Sequence, residues 1–349
     1  MRKKILVIVP SLKYLSPVKV AIEISNGLAE LGSDVEIFPI KNESFDEFKL
    51  HEDVTIVSRP STFYKYDVVH SHCFQSNIIS AFLYLFSRGK VKFITTVHTD
   101  IDIDLKDKYP KLNAFLVRLW KWSIGKNDVI ICLNKEVASK FKKKNTVKLI
   151  PNGSANPDIL KETSSLIISD KLNHFLKEEG KIILGMACVI REVKGLDRVA
   201  RLLAYNNNIK LLLLGDGPYL SQFKRLLTKL GVYDRVFFYG FTKEPLELLK
   251  NTDVAVFPSY SEGFPLSLIE AMSIGLPCVT SNISSFTTFF TDEVIIADVD
   301  DLELFNIAVE SAKSDRDYYS RMSLDTYEKS FTAKVMSKNY NEVMNEILR

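Results

Sequence analysis

The stretch PSYSEGFPLSLIEAMSIGLP, from Pro258 to Pro277, carries two carboxylates eight residues apart, Glu262 and Glu270. Pro265 suits a first helical turn, where its missing N–H costs nothing, and Gly275 suits a helix stop. Between them, Leu266, Leu268, Ile269, Ala271, Met272 and Ile274 surround Glu270 with apolar neighbours. A helix apolar on most sides is predicted to be buried. A buried carboxylate needs donors or a cation, or else it takes up a proton. The turn Glu262-Gly263-Phe264 brings the backbone N–H groups of Gly263, Phe264 and Leu266 near the helix N-terminus, where an anion binds well. A phosphate joined to sugars would satisfy the whole set, with amides taking the phosphate and carboxylates taking hydroxyls. The same spacing also allows a solvated Glu262 and a purely structural, hydrogen-bonded Glu270.

The elements that must position these residues are short β-branched apolar runs alternating with helical patterns. KILVIVP, DVEIFPI, DVTIVS, DVVHSH, KFITTVH, DVIICLN and VKLIPNG form a first set. KIILGMACV, IKLLLLGDGP, RVFFYG, DVAVFPS, LPCVTS and EVIIAD form a second. Several runs start after Asp and then stay apolar, as strands buried on both faces do. Helical patterns such as Val18–Leu31 and Leu112–Ile124 lie between them. This alternation predicts two doubly wound α/β domains in tandem, residues 1–160 and 161–330, each with a parallel sheet. Such sheets bind ligands beyond the carboxyl ends of their strands, so two facing domains would form a cleft. Residues 152–165, rich in Asn, Pro, Ser and Gly, mark a linker or edge loop. The amphipathic segment at about 331–349 either ends the second domain or packs back on the first.

Length and composition agree with two cores: 349 residues, 46% hydrophobic and 26% charged. No run of 18 apolar residues could span a membrane. The longest apolar run, Ile78 to Phe86, reads as a buried helix. The start MRKKILVIVPS breaks at Pro10 with no small-residue cleavage site, so it reads as a first strand rather than a leader. The four cysteines, Cys73, Cys132, Cys188 and Cys278, lie in or beside apolar runs with neither zinc nor disulfide spacing, and read as reduced core residues of a cytoplasmic protein. Residues 1–152 carry 24 Lys+Arg against 16 Asp+Glu, a net of +8, and residues 153–349 carry 22 against 27, a net of −5. The two halves are therefore expected to meet different partners.

PSYSEGFPLSLIEAMSIGLPCVTSN resembles the signature of family 4 retaining glycosyltransferases, which have the GT-B fold. IREVKGLDRVARLL resembles that family's R-x-x-K-G segment, LLLLGDGP its strand with G-D-G-P, and VFFYGF its short strand ending in Gly. KLIPNGSA resembles the I-P-N-G that closes the first domain, and TTVHTD the first-domain strand ending in His-Asp. The resemblance implies that Glu262 contacts hydroxyls of the donor sugar and Glu270 the ribose. It implies that the backbone at Gly263, Phe264, Pro265 and Leu266 meets the donor's phosphate and sugar. Arg191 and Lys194 would hold the diphosphate, and His98 would sit near the reacting carbon. No resident cofactor or metal is implied. The co-substrate would be a nucleoside diphosphate sugar, UDP-linked in preference to GDP-linked, and the acceptor a lipid-linked or saccharide hydroxyl in bacterial surface polysaccharide assembly.

Three departures from that pattern stand out. Ser16 and Pro17 occupy the place of a Gly-Gly turn near the phosphates, and Pro17 removes a donor, although Lys13 or Lys19 could compensate. Val189 stands where many members have arginine, so Arg191 takes that role. His98 is followed by Thr99 before Asp100. TDIDID at Thr99–Asp104 reads as a solvated acidic loop rather than a metal-binding D-x-D. GDGP holds only a fragment of a dinucleotide fingerprint. FLVRLWKWSIGKN and KFKKKNTVK read as a packed helix with a solvated basic face, and also allow peripheral contact with an anionic membrane at the inner face of the plasma membrane. No aromatic platform accompanies the basic runs, which argues against nucleic acid. Two other classes remain open: a nucleotide-sugar 2-epimerase of GT-B fold, and a non-catalytic partner that binds nucleotide sugar.

Overall fold

The aspartates that precede the apolar runs have a structural reason. In the computed structural model, Asp67 Oδ2 accepts the Lys4 N–H at 2.8 Å, Asp128 Oδ2 the Phe93 N–H at 2.8 Å, and Asp253 Oδ2 the Ile183 N–H at 2.8 Å. Each carboxylate therefore caps the first or second amide of the neighbouring strand and helps fix register where two strands begin. The structure describes residues 2–13, 15–41, 43, 49–60, 63–98, 101, 113–141, 146–155 and 169–349.

All thirteen expected strands form. The first seven are β1 (Lys4–Val9), β2 (Asp34–Pro39), β3 (Val54–Ile56), β4 (Val68–His72), β5 (Lys92–Val97), β6 (Val129–Cys132) and β7 (Thr146–Leu149). They make one parallel sheet in the order β3-β2-β1-β4-β5-β6-β7. The other six are β8 (Ile182–Ala187), β9 (Ile209–Leu214), β10 (Val236–Gly240), β11 (Val254–Phe257), β12 (Cys278–Ser281) and β13 (Ile295–Ala297). Their parallel sheet runs β10-β9-β8-β11-β12-β13. Both orders reverse direction once, between β1 and β4 and between β8 and β11. That reversal leaves room for a ligand beyond the strand ends, as in other doubly wound sheets.

The chain divides into two units, Met1–Ala155 with Ser330–Arg349, and Asn156–Lys329. In the first, helices α1 (Ser16–Glu30), α2 (Cys73–Ser87) and α3 (Asn113–Ile124) cover the sheet. The predicted start of α3 at Leu112 lies outside the described residues. In the second, α4 (Leu196–Tyr205), α5 (Leu220–Leu230), α6 (Leu266–Ser273) and α7 (Leu302–Ser314) do so. The core of the second unit is dense in leucine and valine, including Leu184, Leu211, Leu213, Val254 and Val256 from the strands and Val199, Leu203 and Val309 from the helices.

The C-terminal helix α8 (Ala333–Leu348) packs on α1 in the first unit. The two backbones approach so closely at Gly27 that a Cβ there would lie 2.2 Å from Ser337 Oγ. The chain returns beside Gly153 of the I-P-N-G motif, where a Cβ would lie 2.4 Å from the Thr332 carbonyl oxygen. Two backbone bonds, Ser154 N to Phe331 O at 3.0 Å and Ala333 N to Ser154 O at 2.9 Å, fasten it there.

Two expectations need correction. The run Ile78–Phe86 is not a buried helix: it forms the second half of α2, and Phe82, Leu85 and Phe86 are exposed. Apolar composition gave no sign of which side faced the sheet. Pro265 is the residue before α6 rather than part of its first turn. Gly275 has φ +67° just past the helix end, the left-handed stop that glycine supplies.

Candidate functional site

In the second unit, the chemistry-bearing residues come from the two strands that flank the reversal. The loop after β8 carries Arg191 and Lys194, and the loop after β11 carries Glu262 and Gly263. The two loops are tied together. Tyr260 N donates to Val193 O at 2.8 Å, and Gly195 sits against Pro258 so tightly that a Cβ would be 2.0 Å from its carbonyl oxygen. Gly195 also has φ +69°, so the glycine of R-x-x-K-G meets both a backbone and a space requirement. In the neighbouring loop Gly215, with φ +124°, meets both requirements and Gly217 the space requirement. Cβ atoms at Gly215 and Gly217 would lie 2.0 Å from Cys188 O and 2.3 Å from Ile190 O.

Lys194 Nζ donates to Glu262 Oε1 at 2.6 Å, and Ser259 Oγ donates to the same oxygen at 2.8 Å. Both members of the pair are largely shielded, with side-chain exposures of 22% and 12%. An ammonium has three donors, and this one uses one, leaving two for an anion. Glu262 Oε2 accepts no hydrogen bond from the described residues, which leaves an acceptor for a hydroxyl. Cys188 lies close to the pair. Burial pushes its thiol up to about 12, while Lys194 pulls it down and Glu262 raises it. Arg191 is exposed, and its guanidinium has no partner among the described residues. The loop therefore offers one anchored and one unengaged cation.

The loop after β11 is held from below. Ser285 Oγ donates to the Glu262 carbonyl, and Ser281 Oγ to the Ser259 carbonyl at 2.6 Å. Phe264 is buried against Phe289 and Phe290, with ring centroids 5.8 and 6.4 Å away. Its ring therefore anchors the turn. Pro265 is also buried, and Leu266 half-buried. The Leu266 N–H, counted above among the anion-binding amides, donates instead to Phe264 O at 3.1 Å. Glu270 is half-buried rather than enclosed. It shares the less covered stripe of α6 with Leu266 and Ser267, at spacings of four and three, and with Ile274 just past the helix end, while Leu268, Ile269, Ala271 and Met272 face the core.

Arg198 was not anticipated. It lies in α4, four residues after Lys194, and is buried. Its Nε donates to Asp300 Oδ1 at 2.8 Å and a second nitrogen to Oδ2. The third donates to the carbonyls of Pro258 at 2.8 Å and Ser259 at 3.2 Å. The guanidinium also lies 3.6 Å from the Tyr260 ring centroid. One side chain thus clamps the loop after β11 to the first turn of the helix that follows Lys194. Nothing in the sequence signalled it, since Arg198 lies off the Leu196–Val199–Ala200–Leu203 stripe of α4, on the side of Asp197 and Arg201.

The first unit has its own cluster. His70 and His72 point to one face of β4, with ring centroids 4.2 Å apart. His72 Nδ1 lies 2.8 Å from Nε2 of His98, the half-buried residue that follows β5. His70 Nε2 lies 2.9 Å from Thr96 Oγ1, which is 3.0 Å from the Tyr340 hydroxyl of α8. Burial lowers all three histidines: His98 to about 4, His70 to about 3 with His98 adding to it, and His72 well below the usual range. The cluster is therefore neutral at pH 7. His70 Nδ1 and His72 Nε2 are buried without partners among the described residues. Orphaned buried N–H groups are rarer than orphaned acceptors. That assigns the His72 proton to Nδ1, where it donates to His98 Nε2, and leaves His98 with its own proton on Nδ1 as a donor. Ser16 is exposed at the start of α1, with Pro17 in the first turn, and Lys13 pairs with Glu43 at 3.1 Å. Apart from Ile101, the run Thr99–Asp104 lies outside the described residues, as do residues 142–145 and 156–168.

Two doubly wound parallel-sheet units, with cation- and carboxylate-bearing loops at the reversal of the second, define the GT-B class. The description "Glycosyl transferases group 1" matches residues 168–329 and "Glycosyltransferase Family 4" matches residues 60–154, so the chain belongs to the family 4 glycosyltransferases. It is similar to the O-antigen biosynthesis glycosyltransferase WclY of Escherichia coli, at 26% identity over 99% of both chains. It is also similar to the Escherichia coli UDP-Gal:alpha-D-GlcNAc-diphosphoundecaprenol alpha-1,3-galactosyltransferase, at 26% identity over 72% of this chain and 67% of that one. Its fold matches that of HepE from Anabaena, crystallised with UDP and glucose, with a TM-score of 0.74 at 15% identity over 99% of this chain and 100% of that one.

Proposed function

We propose that the protein is a retaining, metal-independent hexosyltransferase that moves a sugar from a nucleoside diphosphate sugar to a hydroxyl acceptor. The donor is UDP-linked in preference to GDP-linked. The acceptor is lipid-linked or saccharide, in the assembly of a bacterial surface polysaccharide such as O-antigen, capsule or exopolysaccharide, with the enzyme in the cytoplasm or at the inner face of the plasma membrane. The observation that carries the reading is the Lys194–Glu262 pair at the reversal of the second sheet, with two ammonium donors and one carboxylate oxygen to spare. The names of the Escherichia coli relatives support the polysaccharide role and a diphospholipid-linked acceptor. The UDP and glucose bound to HepE support the donor class.

The bond from the sugar C1 to the diphosphate oxygen breaks, and nucleoside diphosphate leaves with the electron pair. The acceptor oxygen bonds C1 from the same face, through an oxocarbenium-like species, and its proton passes to the departing phosphate oxygen. Lys194, Arg191 and the backbone N–H groups of Gly263 and Phe264, just before α6, stabilise the charge that grows on the diphosphate, the largest catalytic contribution of this arrangement, while Pro265 and Leu266 shape the turn against the donor. Glu262 Oε2 accepts from a hydroxyl of the donor sugar and Glu270 from the ribose. His98 donates from Nδ1 to the transferred sugar, Ser16 contacts the donor from the start of α1, and His72 fixes the tautomer of His98.

Incubation with a panel of nucleotide sugars, with and without lipid-linked and saccharide acceptors, followed by mass spectrometry, tests the reading. A glycosylated acceptor plus nucleoside diphosphate is expected. An altered sugar nucleotide formed without acceptor would identify a 2-epimerase instead, and binding without turnover a non-catalytic partner.

A further inference from the structure

The first unit carries an apolar face that its own core does not use. On α2, Phe82, Leu85 and Phe86 are 53%, 50% and 63% exposed, and on α3, Phe115 and Trp122 are 66% and 41% exposed. These positions recur at spacings of three, four and seven, which is one stripe of each helix. Phe82 and Trp122 meet edge-on with ring centroids 6.4 Å apart, so the two stripes form a single surface. Isolated exposed apolar residues are ordinary, but a contiguous aromatic patch built by two helices marks an interaction site.

Among the described residues the charges beside the patch are mostly basic. Neither α2 nor α3 contains Asp or Glu. Arg88 and Lys90 follow α2 and are exposed, Arg118 is exposed on α3, and the Lys126 ammonium lies 5.7 Å from the Trp122 ring centroid. At the end of α2 a groove of about 290 Å³ is lined by Tyr84, Leu85, Arg88 and Lys92, and by Asp128, whose carboxylate accepts the Phe93 N–H. Apolar and cationic walls stand there side by side.

We propose that the α2–α3 face docks on an anionic lipid bilayer, with Phe82, Leu85, Phe86, Phe115 and Trp122 entering the headgroup boundary and the cations meeting lipid phosphates. An aromatic stripe on helices without Asp or Glu, bordered by Arg and Lys, is the pattern of a helix that lies in a membrane interface. Lysine and arginine near such a surface gain attraction that fades within a Debye length. The core of a protein–protein interface is instead depleted of lysine. Docking here deepens the reading of a lipid-linked acceptor and rests on it for its purpose. Its test uses neither donor nor acceptor, so it can fail or succeed while the transferase reading does the opposite.

The test is flotation of the full chain with vesicles of phosphatidylcholine and phosphatidylglycerol, against phosphatidylcholine alone, at low and high salt. Wild type is expected to float with the anionic vesicles at low salt and to be released by high salt. The exposed-site variant Phe82→Ser with Phe86→Ser should keep its melting temperature and lose roughly tenfold or more in partitioning. Brominated lipid should quench Trp122, while Trp120, only 3% exposed, stays unquenched, so Trp122→Phe should abolish quenching. The proposal is overturned if wild type stays unbound with anionic vesicles at low salt, or if the double variant floats as well as wild type. Self-association that the double variant abolishes, without vesicle binding, would assign the face to a second copy of the chain and equally overturn it.

Discussion

Replacing Gly195 by alanine should injure the candidate site more than the fold. The residue has φ +69°, and an added Cβ would stand 2.0 Å from the Pro258 carbonyl oxygen. The left-handed backbone alone costs a non-glycine residue about 1 kcal/mol. Real Cβ atoms essentially never approach closer than 3.0 Å, so the loops after β8 and β11 must part by about 1 Å. The opposing atom belongs to the main chain and is held by Arg198, so it cannot swing aside. Overpacking of this kind adds roughly 1–3 kcal/mol, for a total of about 2–4 kcal/mol. Gly231 is the matched control, with φ +68° and nothing within 4 Å. Gly231→Ala should therefore cost the backbone contribution alone. For a unit of this size each kcal/mol lowers Tm by about 2–4 °C, which gives about 2–4 °C for Gly231→Ala and roughly 4–16 °C for Gly195→Ala. The functional gap should be wider, because a displacement of about 1 Å at a positioned group costs on the order of 10²-fold in rate. Calorimetric melting, UDP titration and turnover of the two variants measure this directly. If Gly195→Ala melts with Gly231→Ala and keeps its UDP affinity and turnover, the two loops are not interlocked and the reasoning is wrong.

Three further outcomes are expected. Lys194→Ala should lower turnover about 10²–10³-fold, the usual loss for one donor at a developing anion, with a much smaller change in Tm; equal loss of fold and activity would make the pair structural. Arg198→Ala should destabilise the second unit by roughly 2–3 kcal/mol in a denaturant titration, since two carbonyls and a ring lose their partner while the half-exposed Asp300 can turn to water, and Arg198→Lys should restore little because it lacks the planar fork. The histidine cluster should make the first unit acid-sensitive. Its folded pKa values lie below the ordinary 6.5, so between pH 6.5 and about 4 the unfolded chain binds protons that the folded chain refuses. Stability is then complete above pH 6.5 and falls as pH drops, by up to about 1.4 kcal/mol per pH unit for each histidine. A pH series of melting curves should show this slope, and His70→Gln should reduce it by roughly one histidine's share; a flat wild-type profile would refute the neutral cluster.

The strands were legible because each is a short apolar run, and three of them follow an aspartate with a local job, as Asp67, Asp128 and Asp253 show by capping the adjacent strand. The fixed spacing of Glu262, Gly263 and Glu270 likewise placed a loop and a helix at the end of β11. What composition could not reveal was direction. Glu270 looked enclosed because its neighbours in sequence are apolar, yet helical geometry turns it to the less covered stripe. The same ambiguity made Phe82 and Phe86 read as core. Arg198 and Asp300 are separated by 102 residues, so nothing local announced their pairing. Tyr340 and Thr96 are 244 apart, and the amphipathic pattern of α8 did not say which sheet it would cover. His70 and His72 did leave a signal, since residues two apart on a strand share a face. It went unused because β5, which carries the third histidine, becomes their neighbour only in the folded sheet.

A crystal structure with UDP at saturating concentration tests the central claim most directly. The diphosphate is expected beyond the carboxyl ends of β8 and β11, within about 3 Å of Lys194 Nζ, with a ribose hydroxyl against Glu270. Nucleotide bound anywhere else, or no bound nucleotide at saturation, would contradict the assignment of these loops as the donor site.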